Sequence, residues 1–309
     1  MFAEKALTIA IRYSAIRRQF SLKTGEAESK LLDYQTHKYR LLIPLASAYA
    51  MHFTSYETYE IYKNILRLLE DAKDDESIMP KALEMLKEAH GTFAGLKAHT
   101  GWKTMGIIEG SRQACGGHGY SSYAGLSSLY QDFVVQTTWE GDNTVLTLQC
   151  GRYLISCVKK ALEGKKDFPL GVDYLSKLPS ILSKSCNKNP CDINSIKEGF
   201  DVVCANAAVT AGKLFNEALA SGMTEDQAFE QTSIARFQAA KIHCVGYIFK
   251  SFKKAIDKAP SELDPVLKSL LQLYGLNSMQ SFSGLFLQCG YLKPKHLEAI
   301  NRKVIELCN

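Results

Sequence analysis

The sequence predicts an all-α protein built from two helical domains. Its 309 residues exceed the usual size of a single domain, so two domains are expected. Apolar residues recur at helical spacing along most of the chain, and 46% of residues are hydrophobic while 22% are charged, as in a folded globular protein. We predict a first helical domain at 1–163, a linker rich in proline, lysine and serine at 164–192, and a second helical domain at 193–309.

The first predicted helix spans 6–20 and carries apolar residues on two sides, which indicates burial within a bundle. A polar loop at 21–28 follows. The next apolar segment, 31–69, is predicted to be helical with a kink or break at Pro44, because proline removes a backbone donor and clashes with the preceding turn. An acidic loop at 71–77 ends this part of the chain.

Two local signals mark the beginnings of further helices. Pro80 suits the first turn of a helix that carries Gly91 and Gly95 one turn apart, and small residues at this spacing allow a neighbouring helix to approach closely. Asp142 or Asn143 is predicted to be the N-cap of another helix.

The second domain is predicted to contain at least three helices, at 196–219, at 225–256 and in a shorter set from 261 to 309. Alanine is frequent in the first two of these segments, which suits tightly packed helices. No residue pattern in this half points to chemistry.

Charge and cysteine content exclude several classes of function. The formal net charge is +5, and the basic residues are scattered, so we do not expect nucleic-acid binding, although an anionic small ligand would be favoured. The nine cysteines have irregular spacing and mostly apolar neighbours, which is typical of reduced core residues and does not predict a metal site. No signal peptide or membrane-spanning segment is expected, which favours a soluble intracellular protein.

Two tracts carry the candidate functional residues. Glu140 lies between the bulky Trp139 and a predicted helix start, where a carboxylate could act as a general base. A glycine-rich tract, 113–120, lies upstream, and the segment between them is short enough that it could bring the two together. From the residues alone, Glu140 could also merely stabilise a helix N-terminus, and the glycines could form a helix C-cap and turn.

Four motifs together resemble one family. They are Arg-Tyr-Ser-Ala-Ile-Arg-Arg-Gln-Phe at 12–20, Asp-Tyr-Gln at 33–35, Ala-Cys-Gly-Gly-His-Gly-Tyr at 114–120 and Trp-Glu-Gly-Asp-Asn-Thr-Val at 139–145. Their order is similar to that of the acyl-CoA oxidases, the flavoenzymes of peroxisomal fatty-acid β-oxidation. The resemblance covers essentially the whole chain and implies the C-terminal half of such an oxidase: a helical bundle of acyl-CoA dehydrogenase C-terminal type, followed by a second helical domain. The family's N-terminal helices and middle β domain are absent from the 309 residues.

The resemblance implies a reaction and a catalytic residue. Glu140 would remove the α-proton of an acyl-CoA while a β-hydride passes to FAD, giving a trans-2-enoyl-CoA. Molecular oxygen would then reoxidise the flavin and yield hydrogen peroxide. The resemblance also implies that seven residues contact FAD, the first two across a homodimer interface: Arg17, Phe20, Gln113, Gly116, Gly117, Asn143 and Thr144. His118 is expected to be a loop residue.

Two alternatives and a location accompany this interpretation. An acyl-CoA dehydrogenase would share the base and the flavin but pass electrons to a protein carrier, and a non-catalytic helical assembly fragment would need neither. The oxidases are peroxisomal and often end in a Ser-Lys-Leu-type signal. This chain ends in Glu306-Leu307-Cys308-Asn309, so we expect either a missing end or a different import signal.

Overall fold

A computed structural model describes residues 1–169 and 171–309 of the chain. Within those two ranges the protein consists of twelve α-helices joined by loops and short 3₁₀ turns, which confirms the all-α prediction. None of these helices combines the length and the apolar character needed to cross a membrane.

The helices fall into two groups along the chain. The first half contains α1 (Phe2–Ile16), α2 (Gln35–Asp71), α3 (Met79–Ala114), α4 (Gly116–Tyr120), α5 (Leu126–Val134) and α6 (Asn143–Leu162). The second half contains α7 (Ile193–Ala220), α8 (Glu225–Gln231), α9 (Ser233–Ile256), α10 (Asp264–Ser281), α11 (Ser283–Gln288) and α12 (Pro294–Leu307).

The end of α1 differs from the prediction, which extended this helix to residue 20. The helix ends at Ile16, and Arg17 has the extended backbone angles φ −68° and ψ 129°. The chain then folds back on itself: the Leu31 N–H donates to the Arg17 carbonyl at 2.9 Å, and Arg18 forms a β-bridge with Lys30. Backbone pairing with a later segment therefore replaces the last predicted turn of helix.

Proline has different effects in α2 and α3. A kink or a break is expected at Pro44; α2 is continuous through this residue, so the break does not occur. Pro80 lies in the first turn of α3, as predicted, where its missing N–H costs no helical hydrogen bond.

The glycines of α3 allow two other helices to come close. A Cβ atom at Gly91 would lie 2.7 Å from Tyr153 Cβ of α6 and nearer still to its ring. At Gly95 it would lie 2.8 Å from the sulfur atoms of both Cys150 in α6 and Cys244 in α9. The prediction of close helix approach at these glycines is confirmed, and α3 is thereby fixed against α6.

The second half contains one break that the sequence did not predict. The segment expected as a single helix over 225–256 forms α8 and α9, which meet at Thr232 with φ −102° and ψ 12°. The Thr232 hydroxyl donates to the Ala228 carbonyl at 2.8 Å, which satisfies a backbone acceptor at the end of α8.

The segment predicted as a linker, apart from residue 170, which lies outside the described residues, is largely packed against the helices. Its buried apolar side chains belong to the same core cluster as residues from α2, α3, α6, α7, α9 and α10; they include Phe168, Val172, Tyr174, Leu175 and Ile181. Asp173 also forms an ion pair of 2.5 Å with the buried Lys250 of α9. This core is continuous between the two halves of the chain, and the division into two domains stays a prediction.

Candidate active site

Glu140 lies on a sharply turned loop between α5 and α6. We call residues 139–143 the Glu140 loop. Glu140 has φ 55° and Gly141 has φ 108°, both in the left-handed region that L side chains rarely adopt. Asp142 then caps α6, as predicted, because its carboxylate accepts hydrogen bonds from the backbone N–H groups of Thr144 (2.8 Å) and Val145 (3.2 Å).

Lys97 of α3 holds the Glu140 loop in place through three hydrogen bonds. The Lys97 ammonium donates to the carbonyl oxygens of Trp139 (2.9 Å) and Gly141 (2.7 Å) and to Asn143 Oδ1 (3.0 Å). Burial lowers the pKa of Lys97, while the negative charges of Glu140 and Asp142 act in the opposite direction. Sequence reasoning did not find Lys97.

Asn143 joins the beginning of α6 to α3. Its side chain is buried, and its Nδ2 group donates to the Ala98 carbonyl at 3.2 Å while Oδ1 accepts from Lys97. A Cβ at Gly101 would lie 3.1 Å from Nδ2, so the glycine leaves room for this amide. Asn143 thus has partners within the protein on both of its side-chain groups, whereas Thr144 is exposed. Cofactor contacts by Asn143 and Thr144 stay predictions.

Five other candidate residues are gathered at the opposite end of α3. We call them the glycine-tract cluster: Arg17, Phe20, Gln113, Gly116 and Gly117. All five are exposed. The tract is tied to α1 by a hydrogen bond of 2.8 Å between the Tyr13 hydroxyl and His118 Nδ1, so His118 acts here as a structural partner of α1.

The residues of the glycine-tract cluster have distinct surroundings. The Arg17 guanidinium donates to Gln19 Oε1 at 3.0 Å, and Phe20 is 74% exposed with φ 56°. Gly116 has φ 56°, and a Cβ on either Gly116 or Gly117 would meet no atom within 4 Å. The backbone of these two glycines is therefore open to solvent.

Two further contacts show how the local structure of this cluster is built. Gly119 is buried, and a Cβ there would overlap the Arg112 carbonyl oxygen, so this glycine is needed for close packing. The Tyr34 hydroxyl donates to the Gln19 carbonyl at 2.9 Å, which attaches the 33–35 motif to the loop after α1. Three of the four sequence motifs therefore meet at this end of α3.

The expectation that the two tracts come together is wrong. Asn143 contacts α3 at Ala98, whereas the first glycine of the 113–120 tract, Gly116, directly follows Cys115, where α3 ends. At 1.5 Å of rise per residue, these points on the helix are about 25 Å apart. The rigid helix between them keeps the Glu140 loop and the glycine-tract cluster at separate places.

An apolar cavity of about 700 Å³ lies beside Lys97, between α1, α2 and α3. Its walls combine apolar side chains such as Phe2, Met51 and Phe93 with hydroxyl-bearing ones such as Tyr59 and Thr100. They also include Glu4 and His52, whose Oε1 and Nδ1 atoms are 3.2 Å apart. Lys97 lines this cavity, and its ammonium donates a hydrogen bond to the Trp139 carbonyl in the Glu140 loop, so the cavity and the loop are neighbours.

The chain belongs to the acyl-CoA oxidase family. Residues 1–155 match the family model described as the acyl-CoA oxidase C-alpha1 domain, and residues 192–309 match the acyl-CoA oxidase model. This confirms the resemblance carried by the four motifs.

Individual relatives agree with this assignment. The chain is 35% identical to peroxisomal acyl-coenzyme A oxidase 1 of Rattus norvegicus, over 98% of this chain and 46% of that protein. Its fold is similar to the crystal structure of acyl-CoA oxidase 3 from Yarrowia lipolytica, with a TM-score of 0.92 and 38% identity over 99% of this chain and 44% of that one. Acyl-CoA oxidase-1 of Caenorhabditis elegans, complexed with FAD and ATP, gives a TM-score of 0.89 and 27% identity over 99% of this chain and 45% of that one. The chain spans less than half the length of the curated relatives it matches, 44% of one and 46% of another.

Proposed function

We propose that this chain is the helical part of an FAD-dependent acyl-CoA oxidase, which converts an acyl-CoA and molecular oxygen into a trans-2-enoyl-CoA and hydrogen peroxide. The observation that carries the proposal is the placement of Glu140 on an anchored loop beside an apolar cavity, in a chain of the acyl-CoA oxidase family. A carboxylate base and an apolar space are what α-proton removal from a fatty acyl thioester requires.

Glu140 is the proposed general base. The α-protons of a thioester are weakly acidic, so the base must be placed close to the carbon and shielded from water. Lys97 fixes the backbone on both sides of Glu140, which addresses placement. Glu140 is exposed in this chain, so shielding has to come from the substrate and from protein outside these residues.

The glycine-tract cluster fits an anionic dinucleotide. The exposed Arg17 guanidinium suits bidentate contacts with a pyrophosphate, and the open backbone at Gly116 and Gly117 lets N–H groups approach phosphate oxygens. Phe20 offers an exposed ring to the adenine portion, and Gln113 an amide. FAD, when bound, would supply the hydride acceptor and the route for electrons to oxygen.

Two copies of the chain are needed to complete one site under this proposal. The Glu140 loop and the glycine-tract cluster lie about 25 Å apart along α3, so we assign them to two different cofactors in a homodimer. Each FAD would then meet the Glu140 loop of one subunit and the glycine-tract cluster of the other.

We also propose a peroxisomal location. The relative from Rattus norvegicus, 35% identical to this chain, is named a peroxisomal oxidase. Imaging a fluorescent fusion of the longer gene product beside a peroxisomal marker tests this. A diffuse signal would contradict it.

The experiment for the proposed function uses the longer gene product, in which this chain is joined to the N-terminal helices and β domain that the resemblance implies. Glu140→Gln removes the base with little change in shape, so we expect loss of enoyl-CoA and peroxide formation with flavin retained. Near-normal turnover in Glu140→Gln would refute the assignment.

Electron acceptors separate the oxidase from the dehydrogenase alternative. An oxidase consumes oxygen and releases peroxide with acyl-CoA alone, whereas a dehydrogenase turns over only after an artificial electron acceptor is added. Flavin-free protein that is inactive in both assays would favour the non-catalytic assembly fragment.

A further inference from the structure

We propose that Lys97 is a positioning residue for Glu140: its ammonium group sets the conformation of the Glu140 loop and thereby the direction of the carboxylate. The inference rests on the proposed function, since it gives Lys97 a purpose only if Glu140 is the base. Lys97 acts through Glu140, without being a catalytic residue itself.

The hydrogen bonds of Lys97 account for its whole donor capacity. A lysine ammonium has three N–H groups, and Lys97 has three acceptors, at 2.7 to 3.0 Å. Two of these acceptors are the carbonyl oxygens of Trp139 and Gly141, which immediately precede and follow Glu140. The backbone on both sides of the proposed base is therefore attached to one rigid helix.

The Glu140 loop needs such an attachment because its conformation is unfavourable. Glu140 has φ 55°, and non-glycine residues stay in this sparsely populated region only where their surroundings enforce it. Side-chain packing contributes little, since Glu140 is exposed and Trp139 is 51% exposed. The enforcing contacts come from Lys97, Asn143 and the Asp142 cap.

The choice of acceptors leaves the carboxylate available. All three acceptors of Lys97 are carbonyl or amide oxygens, so the ammonium holds Glu140 by its backbone and does not occupy its carboxylate. The third acceptor is Asn143 Oδ1, and the hydrogen bond from Asn143 Nδ2 to the Ala98 carbonyl keeps it in place. The Lys97 ammonium therefore places a positive charge near Glu140, while the Glu140 carboxylate remains free to accept the α-proton.

The first test measures the loop in the 309-residue chain itself. The chain has two tryptophans, Trp102 and Trp139, so Trp102→Phe leaves Trp139 as the fluorescent reporter beside Glu140. In this background Lys97→Met keeps the side-chain length and removes the donors. We expect lower fluorescence anisotropy and stronger quenching of Trp139 by acrylamide, a neutral quencher that does not respond to the loss of the lysine charge. Lys87→Met, an exposed lysine on the same helix, is the matched control and should leave both signals unchanged.

The second test measures catalysis in the longer gene product. We expect Lys97→Met to lower kcat about 100-fold, the cost typical of a misplacement of about 1 Å, with KM nearly unchanged and flavin retained. Lys97→Arg keeps the charge, but the planar guanidinium does not match three converging acceptors. We therefore expect the kcat of Lys97→Arg to lie between those of the wild type and Lys97→Met. A purely structural role would reduce the amount of folded enzyme and leave kcat per flavin unchanged.

The outcomes separate this inference from the proposed function. If Glu140→Gln is inactive while Lys97→Met has normal kcat per flavin, the positioning role is wrong and the oxidase assignment stands. Normal turnover in Glu140→Gln would overturn both. If Lys97→Met does not fold, a wild-type kcat and Trp139 signal in Lys97→Arg would overturn the positioning role.

Discussion

Gly91 occupies the point where α3 and α6 approach each other, and its lack of a side chain has a measurable consequence. A Cβ there would overlap the ring of Tyr153, so Gly91→Ala should lower the free energy of unfolding by about 1 to 3 kcal/mol, the usual effect of overpacking. Chemical denaturation monitored by circular dichroism measures this change.

Gly106 provides the control, since it lies in the interior of the same helix and a Cβ there would meet no atom within 4 Å. Gly106→Ala should stabilise the protein by about 0.5 to 1 kcal/mol, because alanine loses less backbone entropy on folding. Equal effects of the two substitutions would mean that Tyr153 moves aside easily.

The residues of the site differ in how far a sequence can reveal them. Asp142 was found because a cap accepts from N–H groups two and three residues later, here those of Thr144 and Val145, which is a local relation. Lys97 was missed because its acceptors lie 42 to 46 residues further along the chain. No pattern around Lys97 indicates that its ammonium meets three converging oxygens, since this depends on how α3 and α6 pack.

The spacing of apolar residues predicted which segments are helical, but it did not predict where every helix ends. Pro80 marked the beginning of α3 because proline suits the first turn of any helix. The end of α1 depends on pairing between Arg18 and Lys30 of a later segment. Ends that are fixed by contacts with distant segments leave little trace in the local sequence.

Helix α9 carries a histidine that makes stability depend on pH. His243 is buried beside Tyr174 of the connecting segment, with 3.4 Å between the Tyr174 hydroxyl and His243 Nδ1. Burial, with a smaller contribution from the Lys250 charge, lowers the pKa of His243 to about 3. An unfolded histidine has a pKa of about 6.5. Below that pH the unfolded chain therefore binds a proton that the folded chain does not, and stability falls as pH drops.

His243→Gln should remove this dependence. Between pH 7.5 and pH 5 the wild-type chain should lose about 2 kcal/mol of unfolding free energy through His243, and the glutamine variant should lack this loss. Urea denaturation at both pH values measures the difference, with the exposed His90→Gln as the matched control. An identical pH dependence in wild type and His243→Gln would show that His243 does not contribute.

At the scale of the whole molecule, the proposed site is open on the side where Glu140 and Trp139 face solvent. The chain spans 44% of the length of the acyl-CoA oxidase 3 chain whose crystal structure it resembles, so most of such an oxidase lies outside it. A base that removes an α-proton needs a site from which water is excluded. Residues 1–169 and 171–309, which the structure describes, do not enclose Glu140.

We therefore expect the isolated chain to retain little FAD and to form little enoyl-CoA, and the longer gene product to be yellow and active. Flavin absorbance per polypeptide after gel filtration, with and without added FAD, measures retention. One FAD bound per isolated polypeptide, together with measurable formation of enoyl-CoA, would contradict this expectation.

The length of α3 has a consequence for how this protein can change during evolution. Deleting one residue between Lys97 and Cys115 would rotate one end of the helix by roughly 100° relative to the other and shorten it by about 1.5 Å. Either the lysine would turn away from the Glu140 loop, or the glycine tract would turn away from α1. Substitutions that keep the helix are far easier to accept, so the number of residues in this stretch should vary less among homologues than their identity.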